Sequence, residues 1–193
     1  MTRARPNAKR ATTRCAFGQT GGVRYLTIVR HCKAVPAKAG GSDYERILSD
    51  RGVRQSEQLR SWALDSEGLG RFGPTTALVS GSARTRETFA RAFDGTPFVV
   101  ECHFSDLIYN GSREVSAEDL LIDLAAIDPV RTSLLVVAHN PSVHELLVSL
   151  ATKTPKSVLR DGFPLGGAFV LALGESEQIG LGRYELVARY VPD

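Results

Sequence analysis

The run Ser133-Leu134-Leu135-Val136-Val137-Ala138 narrows the possible folds of this chain more than any other stretch. It is uncharged and apolar, and too short for a buried helix of roughly 10–12 residues, so it reads as a buried strand. Val143, Leu146, Leu147 and Leu150 follow on one face of a helix near 141–151, with Asn140 as N-cap and Pro141 as first helical residue. The same order recurs along the chain. Tyr25–Val29 reads as a strand, and a helix near 51–65 follows with Val53, Leu59, Trp62 and Ala63 inward. Thr76–Ser80 precedes a helix near 82–93 carrying Phe89, Ala92 and Phe93. Pro97–Cys102 precedes a helix near 117–127, capped by Ser116, with Leu120, Leu121 and Leu124 inward. Residues 168–173 and 184–190 read as two late strands, the second alternating at Tyr184, Leu186, Ala188 and Tyr190. Strands alternating with helices imply an α/β fold with a mostly parallel sheet. No helix separates the last two strands, so one is expected at an antiparallel edge.

With 193 residues the chain suits one domain plus a tail. Residues 1–22 form the expected tail and residues 23–193 the expected domain. The tail holds Arg3, Arg5, Lys9, Arg10 and Arg14 and no acid, which exceeds the whole net charge of +3 and leaves the body near neutral. A solvated basic tail is therefore expected, with neither nucleic acid nor membrane as partner. No apolar run approaches the ~20 residues of a membrane span, and the tail lacks the apolar segment of a secretory signal. Cys15, Cys32 and Cys102 are an odd number without metal-ligand spacing, which points to a reducing, cytoplasmic setting.

In an open α/β sheet, ligands bind beyond the carboxyl ends of the strands. The first strand ends in Arg30-His31, the second runs into Ser80-Gly81-Ser82-Ala83-Arg84, and the most regular ends in Ala138-His139-Asn140-Pro141. Two histidines and two arginines thus converge on one face. Guanidinium matches phosphate oxygens bidentately. Nearby cations keep an imidazole neutral and nucleophilic, and a neutral imidazole can attack phosphorus and carry the phosphoryl group. Positioning and charge supply most of such catalysis, and neither metal nor cofactor is required. Ser82 is a second phosphate contact or an N-cap, and Asn140 borders the same pocket. His103, His144, Lys33, Arg51 and Arg54 read as structural or solvated residues.

These motifs resemble the histidine phosphatase superfamily, which includes the phosphoglycerate mutases. Leu26-Thr27-Ile28-Val29-Arg30-His31-Cys32-Lys33-Ala34 resembles its Arg-His signature, and the Lys-Ala pair resembles the small SixA-type phosphohistidine phosphatases. Leu48-Ser49-Asp50-Arg51-Gly52 is similar to the family's "Leu-Thr-x-x-Gly" turn. Val79–Thr88 is similar to "Ser-Pro-x-x-Arg-x-x-x-Thr", and Val137–Pro141 to the second-histidine motif. Pro164-Leu165-Gly166-Gly167-Ala168 weakly echoes a late Pro-Thr-Gly-Ala turn. The likeness spans about residues 24–190. It implies a three-layer α/β/α sandwich of the phosphoglycerate mutase type. It also implies His31 as phosphoryl acceptor, Arg30 and Arg84 as phosphate clamp, and His139 completing the pocket. Asp106, after the third strand, is a candidate proton donor or water activator, with a surface or cap role as the alternative.

Two positions depart from the family pattern. Cys32 replaces a small residue and sets an oxidisable thiol beside the nucleophile, and Gly81 replaces the common Pro. The expected substrate is a phosphorylated protein, foremost phosphohistidine on a signalling protein. The alternatives are a phosphatase or mutase for a small phosphorylated metabolite or nucleotide, and a non-catalytic phosphate-binding module. A cysteine phosphatase is disfavoured, because Lys38 stands where its loop needs Arg. The expected assembly is a monomer or weak dimer.

Overall fold

The computed structural model describes residues 24–111, 113–127, 133–160, 162–174, 179–180 and 184–192. The basic tail expected at 1–22, Cys15 included, lies outside them. Six strands form one sheet: β1 Arg24–Arg30, β2 Thr75–Ser80, β3 Val99–Ser105, β4 Ser133–Ala138, β5 Ala168–Gly174 and β6 Glu185–Tyr190. Their spatial order is β3-β2-β4-β1-β5-β6. β3, β2, β4 and β1 are mutually parallel, β5 runs antiparallel to β1, and β6 antiparallel to β5. The fold class is the expected one. The antiparallel part is two strands wide, however, and β5 lies inside the sheet.

Alternation along the central strands divides the core. Leu134, Val136 and Ala138 of β4 join one hydrophobic cluster, while Leu135 and Val137 join the other. Successive side chains of a strand point to opposite faces, so an unbroken apolar strand needs cover on both. Helices α3 (Ala117–Ile127) and α4 (Ser142–Leu150) cover one face with Leu120, Leu124, Val143 and Leu146. Helices α1 (Asp50–Leu64) and α2 (Ala83–Ala92) cover the other with Leu59, Ala63, Phe89 and Ala92. Leu135 is fully buried, and truncating it to Ala should cost roughly 2–5 kcal/mol. Edge strand β6 alternates exposed and half-buried residues, matching its sequence pattern.

The structure corrects two local readings and adds two short elements. β3 starts and ends later than the expected 97–102, because its ladder with β2 continues to Ser80↔Ser105. An edge strand tolerates the polar residues that seemed to end it, and the shift puts Asp106 directly after the strand. Asn140 is not the cap of α4. Pro141 takes the N-cap position after a cis Asn140-Pro141 bond, and Ser142 Oγ donates to His139 O at 2.8 Å. A 3-10 turn at Leu69–Phe72 and a one-turn helix α5 (Lys156–Leu159) had no sequence forecast.

Glycine at 52 is a packing requirement. A Cβ there would lie 2.0 Å from Lys33 O, so only glycine lets the first turn of α1 press against the segment after β1. Ser49 caps that turn, its Oγ accepting from Gly52 N and donating to Lys33 O. Among the described residues no helix is long and apolar enough to cross a membrane.

Candidate active site

Because β1, β4 and β2 are adjacent and parallel, their carboxyl ends share one edge of the sheet. His31 N donates to Ala138 O at 3.1 Å, which holds the two histidine-bearing ends together. The imidazole centroids of His31 and His139 are 5.1 Å apart.

The segment after β1 is fixed from both covering helices and from the late turn. Cys32 N donates to Thr88 Oγ1 of α2, and Lys33 N donates to Gln55 Oε1 of α1. Gly166 N donates to Arg30 O and His31 O, so the turn that was only a weak echo in sequence abuts the nucleophile. Gly166 has φ +72°, and a Cβ there would meet Cys32 Sγ at 3.2 Å.

Backbone geometry also sets the state of His31. Its Nδ1 lies 2.7 Å from Cys32 O. A carbonyl only accepts, so Nδ1 carries the proton and Nε2 keeps a free lone pair. Burial lowers the His31 pKa to about 3; the Cys32 hydrogen bond opposes this, and the charges of Arg84, Arg30 and Arg46 add to it. His139, 3% exposed, is lowered to about 2 by burial first, then by His31 and Arg84. Both rings are neutral at ordinary pH.

The guanidinium groups are anchored by one edge each. Arg30 Nη1 donates to Phe163 O at 2.7 Å, and burial lowers its pKa. Arg84 lies in the first turn of α2, donating Nη1 to Asp43 O at 2.7 Å and Nη2 to Asp43 Oδ2 at 3.0 Å. Arg30 Nε, Arg84 Nε and His139 Nδ1 are buried without a hydrogen-bond partner. A buried polar group left unpaired costs ~1–3 kcal/mol.

The other expected residues are placed less directly. Ser82 sits at the N-cap position of α2 without a side-chain cap bond; its Oγ is 2.8 Å from Thr85 Oγ1 and 3.5 Å from His139 Nε2. Asn140 Oδ1 is buried and unpaired, and its Nδ2 is 3.5 Å from Phe163 O. Asp106 is exposed and accepts from Tyr44 OH at 2.5 Å. Cys32 is fully buried, and burial pushes its thiol up to about 12 despite the Thr88 hydrogen bond. That is the reverse of a reactive thiolate, and it removes the basis for oxidation at Cys32 or a cysteine nucleophile.

Several residues with a clear place in the site had no sequence signal. Asp43 lies in a Gly-Gly-Ser-Asp stretch that reads as a turn. Its Oδ1 accepts from Arg46 at 2.7 Å, and its Oδ2 accepts from Arg84 and from Tyr109 OH at 2.8 Å. Partial burial raises the Asp43 pKa, but the hydrogen bonds from Tyr109 and Arg46 and the charges of Arg84 and Arg46 outweigh it, giving about 2. Tyr109 stands edge-on to His139 at 5.6 Å and edge-on to Tyr44 at 4.9 Å. Ser80, which the sequence gives as the first residue of the Ser-Pro-x-x-Arg-like segment but without a role, meets His139 Nε2 at 2.9 Å. Gly81 is explained too: a Cβ there would lie 1.9 Å from Asp106 Oδ1 and 2.4 Å from Tyr44 OH. Among the described residues no group of three or more His, Cys, Asp or Glu is placed to hold a metal ion.

No protein-family model and no curated protein matches the chain. Solved structures do. The protein assigned as phosphohistidine phosphatase SixA in Nakamurella multipartitia matches with a TM-score of 0.71 at 23% identity, over 89% of this chain and 97% of that one. Its counterpart from Agrobacterium tumefaciens matches with a TM-score of 0.69 at 26% identity, over 88% of this chain and 99% of that one. A protein histidine phosphatase SixA complexed with tungstate matches with a TM-score of 0.64 at 20% identity, over 86% and 95% of the two chains. The chain therefore has the fold of the histidine phosphatases.

Proposed function

We propose that this chain, folded as a histidine phosphatase, hydrolyses phosphohistidine on a signalling protein through a phosphoryl intermediate on Nε2 of His31. The observation that carries this reading is a free Nε2 lone pair on His31 with the charges of Arg30 and Arg84 acting on it and the His139 ring 5.1 Å away. One group can attack phosphorus, and the others can hold its oxygens.

In the first step the Nε2 lone pair forms a bond to phosphorus. The bond from phosphorus to the leaving nitrogen breaks, and its electron pair stays on that nitrogen, which takes up a proton from solvent. In the second step water attacks phosphorus and releases a proton to solvent, the P–Nε2 bond breaks, and its electron pair returns to His31. Inorganic phosphate leaves. Arg30 and Arg84 compensate the charge spread over the equatorial oxygens, and His139 donates to one of them. The helix α4 that begins just beyond His139 adds its positive end.

The leaving group follows from the carboxylates. Asp43 is ionised well below neutral pH, so it brings no proton to a leaving group. An imidazole leaves more easily than an alkoxide, so a site without a dedicated acid suits a phosphoramidate better than an alkyl ester. Asp106 acts as a tie for Tyr44. The unpaired cysteines Cys32 and Cys102 suit a reducing compartment, the cytoplasm.

The test is phosphate release from a phosphohistidine protein, a phosphoserine peptide and p-nitrophenyl phosphate, with wild type against His31→Ala. Preference for phosphohistidine and a dead variant support the reading. Turnover of small esters alone moves the substrate to a metabolite. Phosphate-dependent binding without turnover makes the chain a binding module.

A further inference from the structure

We infer that Ser80 is a positioning residue that donates its hydroxyl proton to His139 Nε2, fixing His139 as the neutral Nδ1–H tautomer beside His31. The catalytic part of this inference rests on the reading above; the tautomer itself does not.

Ser80, Ser82, Thr85 and His139 form a buried network whose protons can be counted. Ser80 Oγ and His139 Nε2 are 2.9 Å apart, and either could be the donor on distance alone. Ser80 is fully buried, and its hydroxyl has no other hydrogen-bond partner among the described residues. Thr85 Oγ1 lies 2.7 Å from both Ser80 O and Ser82 O, and 2.8 Å from Ser82 Oγ. Carbonyls cannot donate, so the single Thr85 proton goes to one of them, and Ser82 spends its own proton on Thr85 Oγ1. Ser82, at 3.5 Å from Nε2, therefore has no proton for the ring.

Two arrangements remain. If His139 carried its proton on Nε2, the buried Ser80 proton would have no acceptor and Nδ1 would be a buried bare lone pair. If Ser80 donates to Nε2, the Ser80 proton and the ring's lone pair both meet a partner, and the Nδ1–H donor is the one group of the pair left unpaired. Each unmet buried group costs ~1–3 kcal/mol, so the second arrangement prevails. Each imidazole then has one fixed proton position: His31 keeps its proton on Nδ1 because Cys32 O accepts it, and His139 keeps its own on Nδ1 because Nε2 accepts from Ser80 Oγ.

Long-range 1H–15N correlation of the uniformly 15N-labelled full chain, with His139 assigned through His139→Gln, reads the tautomer in the resting protein. The expected spectrum has a protonated Nδ1 and a bare Nε2 on His139. Ser80→Ala should convert this to a mixed or reversed pattern and lower kcat roughly tenfold, less than loss of a transition-state donor outright, with KM within about threefold. Ser80→Thr, which restores the hydroxyl, should recover both. A wild-type His139 protonated on Nε2 overturns the inference, and so does a Ser80→Ala protein that keeps the wild-type pattern. The wild-type spectrum decides even if Ser80→Ala does not fold. Since no substrate is present, the result is independent of whether the chain turns over phosphohistidine.

Discussion

His31, His139, Ser80 and Arg84 lie on the floor of the site, at or just beyond the ends of adjacent parallel strands, and are buried or half-buried. Asp43, Tyr44, Asp106 and Tyr109 form its rim, in loops following β1 and β3, and are more open to solvent. The Arg84–Asp43 pair spans the two regions, its side chains 5% and 47% exposed. On the floor, protonation is set by desolvation and by single fixed partners, so each group has one state. On the rim, two tyrosine–carboxylate bonds run reciprocally between the loops, Tyr44 to Asp106 and Tyr109 to Asp43. Exposed pairs of this kind contribute little each, so the rim should tune what the floor performs.

The contrast can be broken by substitution, and the largest effect belongs to the nucleophile. His31→Ala should reduce steady-state phosphate release by roughly 10⁴-fold or more, since groups acting as a unit fail together. Arg84→Ala should cost roughly 10²-fold or more in kcat through lost charge stabilisation, measured on the same substrate. Near-normal rates in either variant would place the chemistry elsewhere.

Acid stability is the next test of the floor. The folded-state pKa of His139, about 2, lies below its ordinary value of 6.5, so the unfolded chain binds more protons between those limits. Stability is therefore full above pH 6.5 and falls as the pH drops below it, by about 1.4 kcal/mol per pH unit for one such group. Asp43 loses its own contribution only as the pH falls through about 2, outside this window. His31, lowered to about 3, titrates in the same window, so urea midpoints should drop between pH 7 and pH 5 with both histidines contributing, and His139→Gln should make that slope shallower. An equal slope in the variant would show that His139 is not held neutral.

Smaller effects belong to the rim. Asp43→Asn frees Arg84 from one charged partner and should change kcat/KM by about tenfold, the low end of what one hydrogen bond to a charged group contributes. Asp106→Asn should change it by about threefold. A loss near 10²-fold on the phosphoserine peptide would instead identify Asp106 as a general acid. Gly81→Ala displaces the Tyr44–Asp106 tie through the Cβ contact and should resemble Asp106→Asn in rate.

The same division explains what could be read from sequence. Floor residues follow apolar runs whose lengths and flanks mark strand ends, so Arg30, His31, Arg84 and His139 were visible before any coordinates. The helices were visible too, because covering a two-faced sheet imposes a period on them. Asp43, Tyr44 and Tyr109 sit in loops without a period, and their partners are distant in the chain. Tyr109 and Asp43 are bonded across 66 positions, and only the sheet order brings them together. Ser80 is legible as part of the Val79–Thr88 segment, but its role is not, because its partner His139 comes from the adjacent strand. Asn140 looked like a helix cap by residue type, but the Pro141 that follows moves the cap position onward.

Alkaline rapid quench with a 32P-labelled phosphohistidine protein, followed by peptide mapping, tests the central assignment most directly. The account predicts a single labelled peptide containing His31, with the phosphoryl group on Nε2, because Cys32 O occupies Nδ1. Label on Nδ1, on Cys32 or on another histidine, or turnover that passes through no labelled protein, would contradict it.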